Sequence, residues 1–356
     1  MNIIFRVDAS TSIGSGHVRR CLTLASYLRK RGANVSFICR EVIGNLCTLL
    51  EQEKFIVHRL RFEHSSAGKS APQQIRVGDD AIASAAIIDK HGPFDWLVVD
   101  HYCLGQRWER AVSQSVGNIF VIDDLANHPH SCNALLNHAY FNDLRKRYAG
   151  LVSPNTQLLL GPKYFILNPA FHNAKNNAVP LVSRNRRILI FFGGADVTDE
   201  TTKAVQALRT PASFRIDVDV VITQQNRHRD SIKALVRNLK QHTLHEDLPD
   251  LSQLMAQATI ILGAGGGTIY ESIFMGLPSI VVTTAEHQTA AAKQLNQSKL
   301  ILWLGSSQSI TAPLIRDTIK TWISKESDKA LVEPEQLMNV VDGKGLTRIE
   351  KVLENS

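Results

Sequence analysis

The chain opens with an apolar run, Ile3-Ile4-Phe5-Arg6-Val7. A glycine turn follows, Gly14-Ser15-Gly16-His17, and then apolar residues at helical spacing, Cys21, Leu22, Leu24, Ala25 and Leu28. That order predicts a strand, a turn and an amphipathic helix, which Gly32 closes. The alternation continues, with strands predicted at 35–39, 55–57, 94–100 and 118–124 and helices over 42–50, 79–90 and 108–112. A polar loop is predicted over 64–77. The runs at 94–100 and 118–124 are continuously apolar and end in acids, Asp100 and Asp123-Asp124, as expected of strands buried on both faces. The pattern weakens from 142 to 185, where a short strand at 158–160 precedes an irregular polar stretch over 171–184.

The alternation then restarts. Strands are predicted at 187–192, 217–222, 259–262 and 279–282, with helices over 199–208, 251–258 and 269–274 and another opening at Glu286. Thr198 or Asp199 is the expected N-cap of the helix over 199–208. Two further glycine turns separate strand from helix, Gly193-Gly194-Ala195-Asp196 and Gly263-Ala264-Gly265-Gly266-Gly267-Thr268. Repeated strand–helix units imply parallel sheets with helices on both faces. The predicted class is α/β, with two doubly wound, Rossmann-like domains over 1–180 and 181–356 facing each other across a cleft. Ligands are expected beyond the carboxyl ends of the strands.

Composition narrows the class. The 356 residues, 44% of them hydrophobic, suffice for two separate cores. No apolar run approaches the roughly 20 residues of a membrane span, and the first 20 residues lack a signal peptide's apolar region. A cytoplasmic protein without stable membrane association is expected. The formal charge of +7 comes from scattered Lys and Arg, densest at Arg184-Asn185-Arg186-Arg187, with no aromatic-interleaved basic stripe. Nucleic acid is therefore not an expected partner, whereas a small polyanion is. The five cysteines form no C-x-x-C pair and are expected to be buried and reduced. No H-E-x-x-H or carboxylate–histidine cluster occurs, so neither a metal nor another cofactor is expected.

The candidate chemistry gathers at the turns. Backbone N–H groups at Gly14 and Gly16, at Gly193 and Gly194, and at Gly265, Gly266 and Gly267 with Thr268 can approach a phosphate. Neither a Walker pattern nor a dinucleotide fingerprint is present. His17 stands where turn becomes helix. It is either a cap and phosphate donor or a base: a helix N-terminus disfavours an added positive charge, and a neutral imidazole accepts a proton from water. Asp8 is the candidate to orient it. Asp100, His101 and Tyr102 follow a strand end, where Asp100 is a helix cap or a site residue and Tyr102 positions a sugar or the attacking water. Asp123 and Asp124 read better as the start of a polar loop than as a carboxylate pair, because adjacent side chains point apart. Glu271, one turn past the third glycine turn, can take two hydrogen bonds from a ribose diol, and His287 and Gln288 open the next helix near it.

As a set, these motifs resemble the UDP-sugar hydrolase family of pseudaminic acid biosynthesis. The matching residues are Phe5-Arg6-Val7-Asp8, Gly14 to Arg20, Val99-Asp100-His101-Tyr102, Ile122-Asp123-Asp124, Leu135-Leu136-Asn137, Phe192 to Asp196, Gly265 to Glu271 and Val341-Asp342-Gly343-Lys344-Gly345. The third turn carries Gly265-Gly266-Gly267 where that family often has serines. The resemblance implies a GT-B arrangement with UDP on the C-terminal domain and the last helix returning to the N-terminal one. It implies that His17 activates the attacking water, that Tyr102 belongs to the catalytic site, and that Asn137 joins the substrate contacts. The implied reaction releases UDP from UDP-2,4-diacetamido-2,4,6-trideoxy-β-L-altropyranose; inverting attack of water at the anomeric carbon and a monomeric protein are expected beside it. Departure of UDP needs no strong general acid, which suits a chain without an evident acid–base carboxylate pair. Two other readings share the residues: a GT-B glycosyltransferase with a UDP-sugar donor, and a nucleotide-sugar-binding protein without turnover.

Overall fold

A computed structural model describes residues 1–11, 13–61, 76–209, 216–325 and 334–355. Ser12 and nearly all of the loop predicted over 64–77 lie outside the described residues. The chain divides into two compact units, one of Met1–Ile166 with Lys344–Ser356, the other of Leu167–Gly343.

The first unit runs β1 (Asn2–Val7), α1 (Gly16–Lys30), β2 (Asn34–Glu41), α2 (Cys47–Gln52), β3 (Ile56–Arg61) and α3 (Val77–His91). It continues with β4 (Trp96–Asp100), α4 (Gln106–Val112), β5 (Asn118–Ile122), β6 (Ala134–Asn137), α5 (Leu144–Arg147) and β7 (Gln157–Leu160). Seven parallel strands form one sheet in the order β3-β2-β1-β4-β5-β6-β7. Alternate residues supply its two cores. Ile3, Phe5, Val7, Trp96 and Val98 pack on one face, and Ile4, Leu97 and Val99 on the other. Arg6 takes a core position on the second face and is fully buried. Asp8 and Asp80 neutralise it at 2.6 and 2.7 Å, and Arg40 also pairs with Asp80 at 2.6 Å. The helix predicted over 42–50 is shorter, because β2 extends to Glu41 and Gly44 adopts a positive φ of 80°. Asn45 then accepts from the Cys47 amide and starts α2.

The second unit runs α6 (Ala170–Asn176), β8 (Arg187–Phe191), α7 (Glu200–Ala207), β9 (Asp217–Ile222), α8 (Arg229–Val236), β10 (His242–Glu246) and α9 (Ser252–Gln257). It closes with β11 (Ile260–Ala264), α10 (Thr268–Met275), β12 (Ser279–Thr283), α11 (Glu286–Gln297), β13 (Leu302–Ser306), α12 (Ala312–Lys325) and α13 (Pro334–Val340). Its six parallel strands are ordered β10-β9-β8-β11-β12-β13. α6 forms inside the stretch expected to be irregular, since Phe171 and Ala174 share a buried face. Asp199 is the N-cap residue of α7, one of the two expected, but its side chain makes no capping hydrogen bond. Asp196 accepts from the amides of Glu200 and Thr201 at 3.0 and 2.9 Å, while Asp199 sits in the left-handed region.

The final helix, α14 (Gly345–Glu354), belongs to the first unit. It lays Leu346, Ile349, Val352 and Leu353 into the core beside α1, and Trp96 donates its indole N–H to the Leu353 carbonyl at 2.9 Å. Each such buried side chain contributes roughly 1.5–3 kcal/mol relative to exposure. All five cysteines are free. Cys21, Cys39 and Cys47 are buried as expected, but Cys103 is exposed. Among the described residues no helix is long and apolar enough to cross a membrane.

Candidate active site

In each sheet the strand order reverses at one place, between β1 and β4 in the first unit and between β8 and β11 in the second. The strands on the two sides of such a point send their helices to opposite faces, which opens a crevice at their carboxyl ends. The glycine turn after β1 ends at the first such point. Those after β8 and β11 flank the second.

At the first crevice, Gly14 has a φ of +82°, open to glycine and strained for other residues, and its amide donates to the Ser10 carbonyl at 2.8 Å. Gly16 begins α1, whose first turn contains no acidic residue. His17, the second residue of that helix, is 6% exposed. Its Nδ1 lies 2.5 Å from Oδ1 of Asp100, the last residue of β4. Asp100 is fully buried and also accepts from Arg20, at 2.6 Å from both Nε and Nη2. Burial works to raise the Asp100 pKa, but Arg20 and His17 outweigh it and hold the carboxyl well below the usual range. An ionised Asp100 can only accept, so Nδ1 carries the proton and the lone pair of the imidazole is on Nε2.

Two further side chains complete the cluster. Tyr102 meets the His17 ring edge to face, with centroids 4.5 Å apart. Its hydroxyl donates to Asp124 at 3.3 Å, and Arg20 Nη1 donates to Asp124 at 2.9 Å. Burial opposes ionisation of Asp124, but Arg20 prevails and lowers its pKa to about 2. Asp123 and Asp124 do point apart: Asp123 accepts from the amides of Leu125 and Ala126 and shapes the loop. His101 and His138 are buried, which lowers the pKa of each to about 4.

The structure gives Asp8 a different partner from the one expected. Its carboxylate accepts from Arg6 Nη1 and Nη2 at 2.6 and 2.9 Å and from the Arg40 amide at 2.7 Å, and the carboxylate on His17 is Asp100. Side chains alternate along a strand, so Asp8 follows Arg6 to the α3 face of the sheet. Asn137 is fully buried. Its amide donates to the Tyr148 hydroxyl and accepts from the Ala139 amide, both at 2.8 Å. From the sequence, Asp100 stayed open between helix cap and site residue, Asp124 read as the start of a loop, and Arg20 was given no role of its own. The signal for Asp100 was its place at the carboxyl end of the strand paired with β1.

At the second crevice, Gly193 has a φ of +87°, and the Gly194 carbonyl accepts from the Thr223 hydroxyl at 2.7 Å. After β11, Gly265 lies against Thr283 and Gln288; a Cβ there would stand 3.0 Å from carbons of both. A Cβ on Gly266 would meet nothing within 4 Å. Thr268 begins α10, and Glu271 is half-buried in its first turn. His287 is exposed at the start of α11, and Gln288 accepts from the Thr284 amide at 2.9 Å. The turns after β8, β11 and β12 thus share one sheet edge and offer uncharged backbone. Among the described residues, no group of three or more His, Cys, Asp or Glu side chains is placed to hold a metal ion.

Residues 187–339 match the model of the glycosyltransferase family 28 C-terminal domain. Over 301 residues the chain is 24% identical to UDP-2,4-diacetamido-2,4,6-trideoxy-beta-L-altropyranose hydrolase of Campylobacter jejuni, a match covering 83% of this chain and 96% of that one. Over 230 residues it is 30% identical to spore coat polysaccharide biosynthesis protein SpsG of Bacillus subtilis, covering 63% of this chain. The chain spans 65% of the length of that second relative. Among solved structures, MurG of Acinetobacter baumannii superposes with a TM-score of 0.65 at 14% identity, over 100% of this chain and 99% of that one. The fold is the two-domain GT-B fold. The resemblance drawn from the motifs also stands, since the similarity to the Campylobacter hydrolase extends over most of the chain.

Proposed function

We propose that this chain hydrolyses UDP-2,4-diacetamido-2,4,6-trideoxy-β-L-altropyranose to UDP and free 2,4-diacetamido-2,4,6-trideoxy-L-altrose, a step of pseudaminic acid biosynthesis. The observation that carries the reading is the imidazole of His17, held through Nδ1 by an ionised Asp100 at 2.5 Å, at the head of a helix beside a topological switch point. Similarity to the Campylobacter hydrolase over 96% of that protein supports this substrate.

The mechanism follows from the tautomer. Nε2 of His17 takes a proton from water as the water oxygen bonds to the anomeric carbon. The bond from that carbon to the diphosphate oxygen breaks, and its electron pair leaves with UDP. Asp100 keeps Nδ1–H oriented and faces the imidazolium that forms. Tyr102 fixes the ring plane from its edge and borders the sugar. The leaving diphosphate needs stabilisation but no proton, and glycine-turn amides and helix N-termini supply it without a metal. In this reading the turns at Gly14 and Gly16, Gly193 and Gly194, and Gly265 to Thr268 serve the diphosphate. Glu271 takes the ribose diol, with His287 and Gln288 beside it. Asn137 serves the sugar by holding the end of β6. The enzyme acts in the cytoplasm, as a monomer, on a free small molecule.

The match of residues 187–339 to a glycosyltransferase domain favours a second reading, transfer of the sugar to an acceptor alcohol. One experiment separates them: incubation of the UDP-sugar in ¹⁸O-labelled water, with a chelator and no acceptor, with the first-formed anomer read by NMR. The hydrolase reading expects unlabelled UDP and labelled, inverted sugar. Retained configuration refutes the single displacement, label in phosphate refutes C–O cleavage, and UDP release only after an acceptor is added selects the transferase.

A further inference from the structure

The proton transfer above uses His17 and Asp100 and leaves Asp124 without a role. Its place in the cluster gives it one. Arg20 grips Asp100 through Nε and Nη2, each at 2.6 Å, and reaches Asp124 with Nη1 at 2.9 Å. An arginine paired with one aspartate is neutral. Such a pair orients an imidazole but does little to balance the positive charge that the ring gains from water. One guanidinium against two carboxylates carries a net negative charge, matched to one imidazolium. We propose that Asp124 is a positioning residue for proton uptake, its carboxylate giving the Arg20–Asp100 pair the negative charge that balances the imidazolium formed on His17. Its catalytic meaning rests on the hydrolase reading; its electrostatic content does not.

The neighbours leave this assignment to Asp124. From α1, burial pushes the Cys21 thiol up. From the loop after β4, burial lowers His101 to about 4 and raises Tyr102, so that neither carries charge near neutral pH. From the end of β6, burial likewise lowers His138 to about 4. From β1, Arg6 and Asp8 are paired with each other at 2.6 Å. Among these described groups, those that keep a charge in direct contact with the His17 cluster are Arg20, Asp100 and Asp124. Arg20 Nη2 is itself 3.2 Å from His17 Nδ1, close enough to penalise an imidazolium if nothing offset it.

The test is an NMR titration of the histidine rings in the full chain, without substrate, with the His17 signal assigned from a His17→Gln variant. Asp124→Asn and, as a second neutral variant, Asp124→Ser are expected to move the His17 inflection to lower pH by about one unit. Arg20→Gln is expected to move it to higher pH, and Asp124→Glu to return it to the wild-type position. A purely structural role for these residues does not produce opposite shifts. An inflection unmoved by Asp124→Asn and Asp124→Ser, or moved the same way by Arg20→Gln, overturns the proposal. A raised KM with an unmoved inflection also overturns it and makes Asp124 a substrate contact. In the active enzyme the acid limb of kcat/KM against pH moves with the NMR inflection. If the wild-type chain hydrolyses no UDP-sugar, the hydrolase reading fails while the titration still decides the role of Asp124.

Discussion

Asp100→Asn is the substitution on which the proposed chemistry depends most directly. Asp100 presents one oxygen to both His17 Nδ1 and Arg20 Nη2, at 2.5 and 2.6 Å, and the other to Arg20 Nε at 2.6 Å. An asparagine cannot satisfy all three. With its carbonyl toward His17, its NH₂ faces the Arg20 Nε–H, and two donors oppose each other at hydrogen-bond distance. Flipped, the NH₂ donates to Nδ1, the imidazole adopts the other tautomer, and Nε2 loses the lone pair needed for water. The flipped form gives its carbonyl to Arg20 Nε but turns its NH₂ onto the Arg20 Nη2 donor, so each orientation sets one pair of donors against each other and neither keeps the wild-type hold on His17. The corresponding change in a Ser-His-Asp triad costs about 10⁴ in kcat. Here kcat is expected to fall by about 10³–10⁴, or roughly 4–5.5 kcal/mol at 1.4 kcal/mol per decade, with KM nearly unchanged. Arg20 keeps Asp124, so the cost in stability is that of part of a buried pair, about 3 kcal/mol. The assay is UDP release under saturating substrate, with near-ultraviolet circular dichroism to verify the fold. A folded variant that turns over within tenfold of wild type refutes the assignment of Nε2 as base.

Other expectations test different parts of the molecule. Gly263→Ala places a Cβ 2.6 Å from the Phe191 carbonyl oxygen across the β8–β11 pair and is expected to lower stability by about 1–3 kcal/mol in urea unfolding. Gly266→Ala meets no neighbour, so it should leave stability unchanged yet weaken UDP binding by calorimetry; unchanged affinity removes that turn from the nucleotide site. Ile349→Ala, in the fully buried face of α14, is expected to cost about 2–5 kcal/mol, and a cost near zero would mean that this helix does not complete the first core. His101 and His138 are held by burial at about 4, below the ordinary value near 6.5, so the unfolded chain binds protons that the folded chain refuses between those limits. Stability is therefore full above about pH 6.5 and lost as pH falls toward 4, by at most about 3 kcal/mol per imidazole. Asp80 and Asp100 lie far below the usual carboxylate range, despite burial that works to raise them, because arginines face them, and they add a second loss below about pH 4. Urea midpoints that stay flat from pH 7.5 to 4.5 contradict the imidazole part.

The strands that the sequence made legible carry an apolar run, at the edges β3 and β7 as well as inside the sheets, whereas β6, fully buried but only Ala134–Asn137, was not predicted as a strand. β4, β5, β8, β11 and β12 have neighbours on both edges and helices on both faces, so their residues are apolar without interruption. The polar strand β10, His242-Thr243-Leu244-His245-Glu246, was not legible. It pairs only with β9 at a sheet edge and is nowhere fully buried, so no apolar run marks it. β13, half-buried at the opposite edge, was also not predicted, although the apolar run Leu300 to Leu304 leads into it. The site shows a related limit. The glycine turns and His17 are local in sequence and could be placed. The partner of His17 lies 83 residues away and depends on strand register, which pairs Val7 with Asp100 across β1 and β4. Asp8 was the nearest acid along the chain, but two-residue periodicity commits it to Arg6.

That register also accounts for how acids come to crowd one sheet edge without repelling each other. β1, β4 and β5 are adjacent, and each is followed or ended by an aspartate, Asp8, Asp100 and Asp124. Asp8 is answered from within its own strand by Arg6, which in turn holds Asp80 on α3. Asp100 and Asp124 are answered together by Arg20, one turn along α1 from His17. The helix that carries the proposed base thus also carries the cation that keeps both carboxylates ionised and close. A shift of α1 along its axis by one residue would move His17 off Asp100 and Arg20 off Asp124 at the same time. The spacing of three between His17 and Arg20 puts both on one face of the helix, which makes the dyad and its counter-charge a single rigid unit.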